Sequence, residues 1–159
     1  MWDTTRGRQT VFEGGYRPVV SFDFYVWRGP RLSGHELIQR LLDVDEGRVE
    51  EESAFERSER LEAFRRDVMR RYPALEDISD GAASPWAATP VESPYFVALH
   101  LQSSATDEQL QFVLGRALYH GLHILDPAVG EVYAPGPERW QVWLRKIGLG
   151  RLAGPDRPW

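Results

Sequence analysis

The sequence predicts an α+β domain in which helices pack on one face of a small, mostly antiparallel sheet. Two segments, 20–27 and 95–102, carry apolar residues at alternate positions, which is the period of a strand with one buried face. Three segments open with Ser or Thr and have Glu or Gln three residues later, the capping box that begins a helix. The alternation in the two strands favours a sheet with one covered face.

Each expected element has its own local signal. The capping boxes begin at Ser33, Ser53 and Thr106. Pro73 ends the second helix because the residue before a proline avoids helical angles, and Gly121 ends the third. The expected elements in chain order are strand 20–27, helix 34–42, helix 54–72, strand 95–102, helix 107–120, strands 122–125 and 131–133 around a turn, and helix 137–147.

Residues 73–94 are the most informative irregular stretch, with four prolines and no clear period. A compact domain seldom keeps so long a connection unless it has a function or a fold of its own. We therefore expect Trp86 to anchor this loop and the loop to shape a contact surface. The domain organisation that we expect is a loose arm over 1–18, one α+β domain over 19–147 and a C-terminal tail over 148–159.

Composition excludes several classes of protein. Apolar residues make up 42% and aromatic residues 12% of the 159 residues, enough for a packed interior. Without cysteine there is no disulfide and no cysteine metal site. No apolar run approaches the roughly 20 residues that span a bilayer, and no signal peptide is recognisable, so a cytoplasmic location is expected. The net charge of -5 argues against nucleic acid and suits a basic protein partner.

Histidines near the end of the third helix are the candidates for chemistry. His120, His123 and Asp126 could form a metal or general-base cluster if the turn brings them together, with His100 as a further member. In the alternative that we prefer, His120 caps the helix, His123 faces solvent, and His100 sits under a helix with a backbone carbonyl as its partner. No phosphate loop, serine elbow or zinc-protease motif is present, and we assign no catalytic residue, metal or cofactor.

Aromatic and acidic residues beyond the obvious core predict a contact surface. Trp27 lies on the strand face opposite the apolar residues, and Tyr95 opens the second strand. Tryptophan and tyrosine are typical anchors of protein interfaces. Together with Trp86, Glu76 and Asp77 of the long loop, they are the residues that we expect to bind a partner. Alternatively, the loop and the last helix cover the second face of the sheet and bury the aromatic side chains.

Four short stretches together resemble a group of small bacterial proteins. The stretches are Phe24-Tyr25-Val26-Trp27, Tyr72-Pro73-Ala74-Leu75-Glu76-Asp77, Ser84-Pro85-Trp86 and Gly121-Leu122-His123-Ile124-Leu125-Asp126-Pro127. Some proteins of this group are similar to immunity proteins of secreted-toxin systems. The resemblance covers about residues 20–133. It implies a binding role and transfers no catalytic residue.

The function that we expect is therefore a non-enzymatic protein-binding domain, in its narrower form an immunity-type inhibitor that plugs the active site of a toxin. The alternative is a small hydrolase or metal-dependent enzyme that uses His120, His123 and Asp126. A third hypothesis is a homodimer that covers its sheet face by self-association.

Overall fold

The structure, a computed structural model, describes residues 21–79 and 84–135. The strands are β1 (Phe22–Trp27), β2 (Trp86–Glu92), β3 (Phe96–Leu101), β4 (His123–Asp126) and β5 (Glu131–Tyr133). The helices are α1 (Gly34–Asp45), α2 (Glu51–Ala54), α3 (Glu59–Arg71) and α4 (Asp107–Tyr119), with a short 3₁₀ helix at Leu75–Asp77. The predicted arm, the tail and the helix over 137–147 lie outside the described residues.

The five strands form one antiparallel sheet in the order β2-β3-β1-β4-β5. The central strand is β1, in which Tyr25 lies opposite Ala98 of β3 on one side and Leu125 of β4 on the other. Hairpin turns connect β2 to β3 and β4 to β5. In this order, β2 and β5 are the two edges of the sheet that the described residues form. The prediction of an α+β fold with an antiparallel sheet is confirmed.

Helices cover both faces of the sheet, which differs from the prediction of one covered face. Phe24, Val26 and Ile124 pack in a first core with α3 and α4. Trp27 and Leu125, one residue further along their strands, pack in a second core with α1 and α2. Successive strand residues point to opposite faces, so the two cores lie on opposite sides of the sheet. The apolar residues at alternate strand positions indicated one buried face of the sheet. The aromatic residues on the opposite face are covered by helices as well.

The helix starts follow the capping boxes at two of three sites. At Ser33 and Thr106 both hydrogen bonds of the box are present, as predicted. The box at Ser53 does not begin the long helix, because α2 ends at Ala54 and Phe55 is extended and buried in the second core. Burial of that ring interrupts the helical path, and α3 begins instead at Glu59, after the N-cap residue Ser58, whose side chain accepts a backbone hydrogen bond.

The long loop contains an edge strand. We predicted no regular structure over 73–94, but β2 pairs with β3, with two register shifts along the pair. Proline is tolerated on an edge strand because the N–H groups on the outer side of such a strand donate no hydrogen bonds to a neighbouring strand. Trp86 anchors the segment as predicted: its ring is fully buried, and its indole N–H donates to the carbonyl of Tyr72 at 3.0 Å.

The start of α1 lies against the turn between β4 and β5. A Cβ atom built at Gly34 would overlap the carbonyl of Gly130, so only glycine allows this approach. Gly121 ends α4 with a φ of 70°, as predicted for a C-terminal glycine. In the part of the chain that the structure describes, no helix is long and apolar enough to cross a membrane.

Candidate functional site

The three residues that the sequence offered as a possible metal or general-base cluster do not meet. His120 ends α4 and its Nε2 lies 2.9 Å from the carboxylate of Asp67 on α3, on the side of the first core. His123 stacks on Trp27 in the second core, with ring centroids 5.2 Å apart. Asp126 accepts a hydrogen bond within the turn that follows β4, and burial raises its pKa. Among residues 21–79 and 84–135, no group of three His, Cys, Asp or Glu could hold a metal ion.

The contact between His120 and Asp67 fastens α4 to α3. The hydrogen bond from His120 lowers the pKa of Asp67, and the positive charge of Arg116 acts in the same direction. His120 is the C-cap residue of α4, the position that the preferred alternative gave it. The pair therefore has a structural explanation that requires no substrate.

His123 is buried, so the expectation that it faces solvent is wrong. Burial lowers its pKa, and the positive charges of Arg31 and Arg28 lower it further. Among the residues that the structure describes, neither its Nδ1 nor the Nε1 of Trp27 has a hydrogen-bond partner. A neutral imidazole stacked on an indole inside an apolar cluster acts as a packing group and not as an accessible general base.

His100 pairs with a carboxylate, a partner that we did not expect. Its Nδ1 lies 2.9 Å from Oδ1 of Asp23, directly across the pairing of β1 with β3. Tyr25 is the next residue on the same face, and burial raises its pKa, with further contributions from the carboxylates of Asp23 and Asp45. The tyrosine hydroxyl beside the pair therefore stays protonated, which makes it a hydrogen-bond donor and a poor nucleophile.

Two of the five predicted binding residues are core residues. Trp27 is 1% exposed and Trp86 is 0% exposed, so the expectation of an exposed aromatic surface at these positions is wrong. Tyr95 is half-buried and packs against the second core. The alternative expectation, that the aromatic side chains are buried, is correct for the two tryptophans. For Trp27, the cover on the second face comes from α1 and α2.

Glu76 and Asp77 are exposed and lie on the 3₁₀ helix beside the edge strand β2. The hydroxyl of Thr89 on β2 donates to Oε2 of Glu76 at 2.6 Å and accepts from the backbone N–H of Leu75 at 3.1 Å. Val91, two residues further along β2, exposes its side chain. We call these five residues, from Leu75 to Asp77 together with Thr89 and Val91, the edge patch.

Sequence reasoning missed three members of the edge patch. At Leu75, Thr89 and Val91 the sequence pattern indicates only an irregular loop. A signal was present, since Thr89 and Val91 are β-branched residues two positions apart, as in a strand. The intervening Pro90 and the neighbouring prolines concealed that signal.

Two depressions beside α3 do not resemble ligand pockets. A void of about 10 Å³ between α3 and the sheet is lined mainly by apolar side chains and has the size of one water molecule. An open depression of about 420 Å³ is lined by Glu62, Arg65, Arg66 and Met69. It is shallow and charged, whereas small-molecule sites are concave and mostly apolar. The edge patch is therefore the stronger candidate site.

Comparison with protein-family models, curated proteins and solved structures gives no match to this chain. The resemblance carried by its short motifs thus stays an expectation.

Proposed function

We propose that this chain is a non-enzymatic protein-binding domain and that it binds its partner through the edge patch. The fixed position of Glu76 carries the proposal, because Thr89 holds its carboxylate at 2.6 Å. Leu75 and Val91, 38% and 44% exposed, supply apolar contact area. A charged group already held in place loses little conformational entropy when a partner binds, so more of the contact energy appears as affinity.

The charge of the edge patch favours a basic partner. The hydrogen bond from Thr89, followed by one from the backbone, lowers the pKa of Glu76, so this side chain is ionised throughout the neutral range. Asp77 adds a second exposed carboxylate, and the whole chain carries a net charge of -5. Complementary charge speeds the encounter of two proteins and rejects partners of the wrong sign.

The narrower form of the proposal is an immunity-type inhibitor, acting in the cytoplasm, whose partner is a toxin with a basic surface. Its support is the motif resemblance together with the acidic, partly apolar edge patch. The enzyme alternative has less support, because His120, His123 and Asp126 lie apart and each has a structural role.

Site-specific photo-crosslinking tests the proposal. A photoreactive phenylalanine analogue is introduced at Leu75 or Val91, in the edge patch, and the chain is irradiated in its cells of origin. Val129 is the matched control, since it is also apolar and at least as exposed but lies in the turn next to the opposite edge of the sheet. We expect one protein to crosslink at both edge-patch positions and not at the control position.

The crosslinked protein is then purified and titrated with unmodified chain. Glu76→Gln removes the held carboxylate with little change in shape, and we expect it to weaken binding by roughly three- to tenfold, mainly through slower association. The proposal fails if no protein crosslinks at the edge patch, if the control position captures the same protein, or if Glu76→Gln binds as tightly as wild type.

A further inference from the structure

Arginine and aromatic side chains alternate along the seam between α3 and α4. The guanidinium of Arg71 lies 5.9 Å from the ring centroid of Tyr72 and 5.7 Å from that of Phe112. That of Arg116 lies 5.5 Å from Phe112 and 5.3 Å from Tyr119, whose side chain is 68% exposed. We call these five residues the ladder. Stacking fixes both guanidinium groups at the surface.

Within residues 21–79 and 84–135, carboxylates satisfy the ladder arginines only weakly. Arg71 lies 3.5 Å from Glu108, and Arg116 lies 3.8 Å from Asp67. Charge-assisted hydrogen bonds to carboxylates are about 2.7–2.9 Å long. Asp67 is in addition already bonded to His120. Both arginines can therefore bind another carboxylate without losing a strong partner.

A complementary acidic surface lies where α2 begins. Val49, Glu50 and Glu52 are exposed, and we call these three residues the acidic knob. Glu51 differs from its neighbours, because its carboxylate accepts a hydrogen bond from the hydroxyl of Ser93. Among the described residues Glu50 and Glu52 form no ion pair. The acidic knob thus combines two available carboxylates with one apolar side chain.

The ladder and the acidic knob lie on opposite sides of the sheet and cannot meet within one chain. The ladder belongs to α3 and α4, which cover the first core, whereas the acidic knob precedes and begins α2, which covers the second. We propose that a second copy of this chain docks its acidic knob on the ladder of the first. Glu50 and Glu52 pair with Arg71 and Arg116, and Val49 covers the exposed ring of Tyr119.

This contact uses two different surfaces, so it does not close on itself. In a pair of copies, one copy has an unoccupied ladder and the other has an unoccupied acidic knob, so further copies can add. Exposed ion pairs are individually weak and are screened by salt, so we expect the association at high protein concentration and low ionic strength. The edge patch takes no part in it, and the inference is independent of the proposed function.

Sedimentation velocity of the full chain tests the inference. In about 20 mM salt we expect the average sedimentation coefficient to rise without a plateau up to about 500 µM protein. At about 300 mM salt we expect the association to weaken on the order of tenfold. A wild-type chain that stays monomeric at low salt overturns the inference and leaves the ladder to another acidic partner. A dimer that saturates and resists salt overturns it as well.

Charge reversal identifies the two surfaces. The ladder variant Arg71→Glu/Arg116→Glu and the knob variant Glu50→Arg/Glu52→Arg should each stay monomeric, and an equal mixture of the two should associate again. Arg57→Glu is the control, since this arginine is exposed and off the ladder. The inference is wrong if the mixture stays monomeric while both variants keep the wild-type circular dichroism, or if the control variant dissociates as fully as the ladder variant. Should either variant unfold, the concentration and salt series of the wild type decides.

Discussion

Gly34→Ala tests the contact that holds α1 on the sheet. Gly34 is the first residue of α1 and is buried, and a Cβ atom there would overlap the backbone carbonyl of Gly130 in the β4–β5 turn. Alanine is the better helix former, which by itself would stabilise the protein by up to about 1 kcal/mol. We nevertheless expect a loss of stability, because the overlapping atoms are backbone and cannot rotate away.

The size of the loss follows from these two opposing effects. Extra methyl groups in a closely packed contact cost about 1–3 kcal/mol, and here the carbonyl oxygen and carbon must both move. Because two backbone atoms must move, the cost lies in the upper half of that range, and subtraction of about 1 kcal/mol for helix propensity leaves a net destabilisation of about 1–2 kcal/mol. For a chain of this length it lowers Tm by about 2–8 °C.

Urea unfolding followed by tryptophan fluorescence measures the free energy of unfolding of wild type and variant. Gly47→Ala is the control: Gly47 has a φ of 67° and open space around it, so its substitution costs only backbone strain, about 1 kcal/mol. Only Gly34→Ala should also shift the amide resonances of the β4–β5 turn. A Gly34→Ala variant as stable as wild type, or more stable, would refute the close approach of α1 to this turn.

Three further predictions concern the cores and their hydrogen bonds. Trp86→Phe leaves the carbonyl of Tyr72 without its indole donor and should lower the free energy of unfolding by about 1–3 kcal/mol in urea titrations; an unchanged midpoint would contradict this. The pKa of His123 is lowered by folding, so the unfolded chain binds the proton more readily and wild-type stability falls as pH drops below 6.5. His123→Phe should abolish that part of the pH dependence. If the variant and the wild type lose stability identically as pH falls, this prediction is wrong. The pKa of Asp67 is also lowered, so Asp67→Asn should destabilise by about 1 kcal/mol at pH 7. The difference from wild type should shrink as pH falls below 3.8, because the carboxylate of wild type is then protonated and its hydrogen bond with His120 weakens. A pH-independent difference would count against this contribution of the Asp67 carboxylate.

The candidate site was predicted in part. Glu76 and Asp77 were predicted as binding residues of the long loop, and the structure shows both exposed beside an edge strand, while their binding role stays a prediction. What sequence reasoning could not supply was the hydroxyl of Thr89 that holds Glu76, because a contact across 13 positions depends on how β2 pairs with β3. Trp27 and Trp86 were misjudged for a related reason, since exposure depends on what packs above a residue.

Local interactions by themselves determined the first and third capping boxes, the glycine that ends α4, the proline after α3 and the hairpin after β4. Each of these signals acts within a few residues, so a short stretch of sequence contains all the groups involved. The tertiary structure decided the rest. Burial of Phe55 in the second core interrupts the helix that the box at Ser53 predicts, pairing with β3 makes residues 86–92 a strand, and α1 and α2 cover the second sheet face. These outcomes depend on contacts between segments far apart in the chain, where the free energy of burial outweighs local preference.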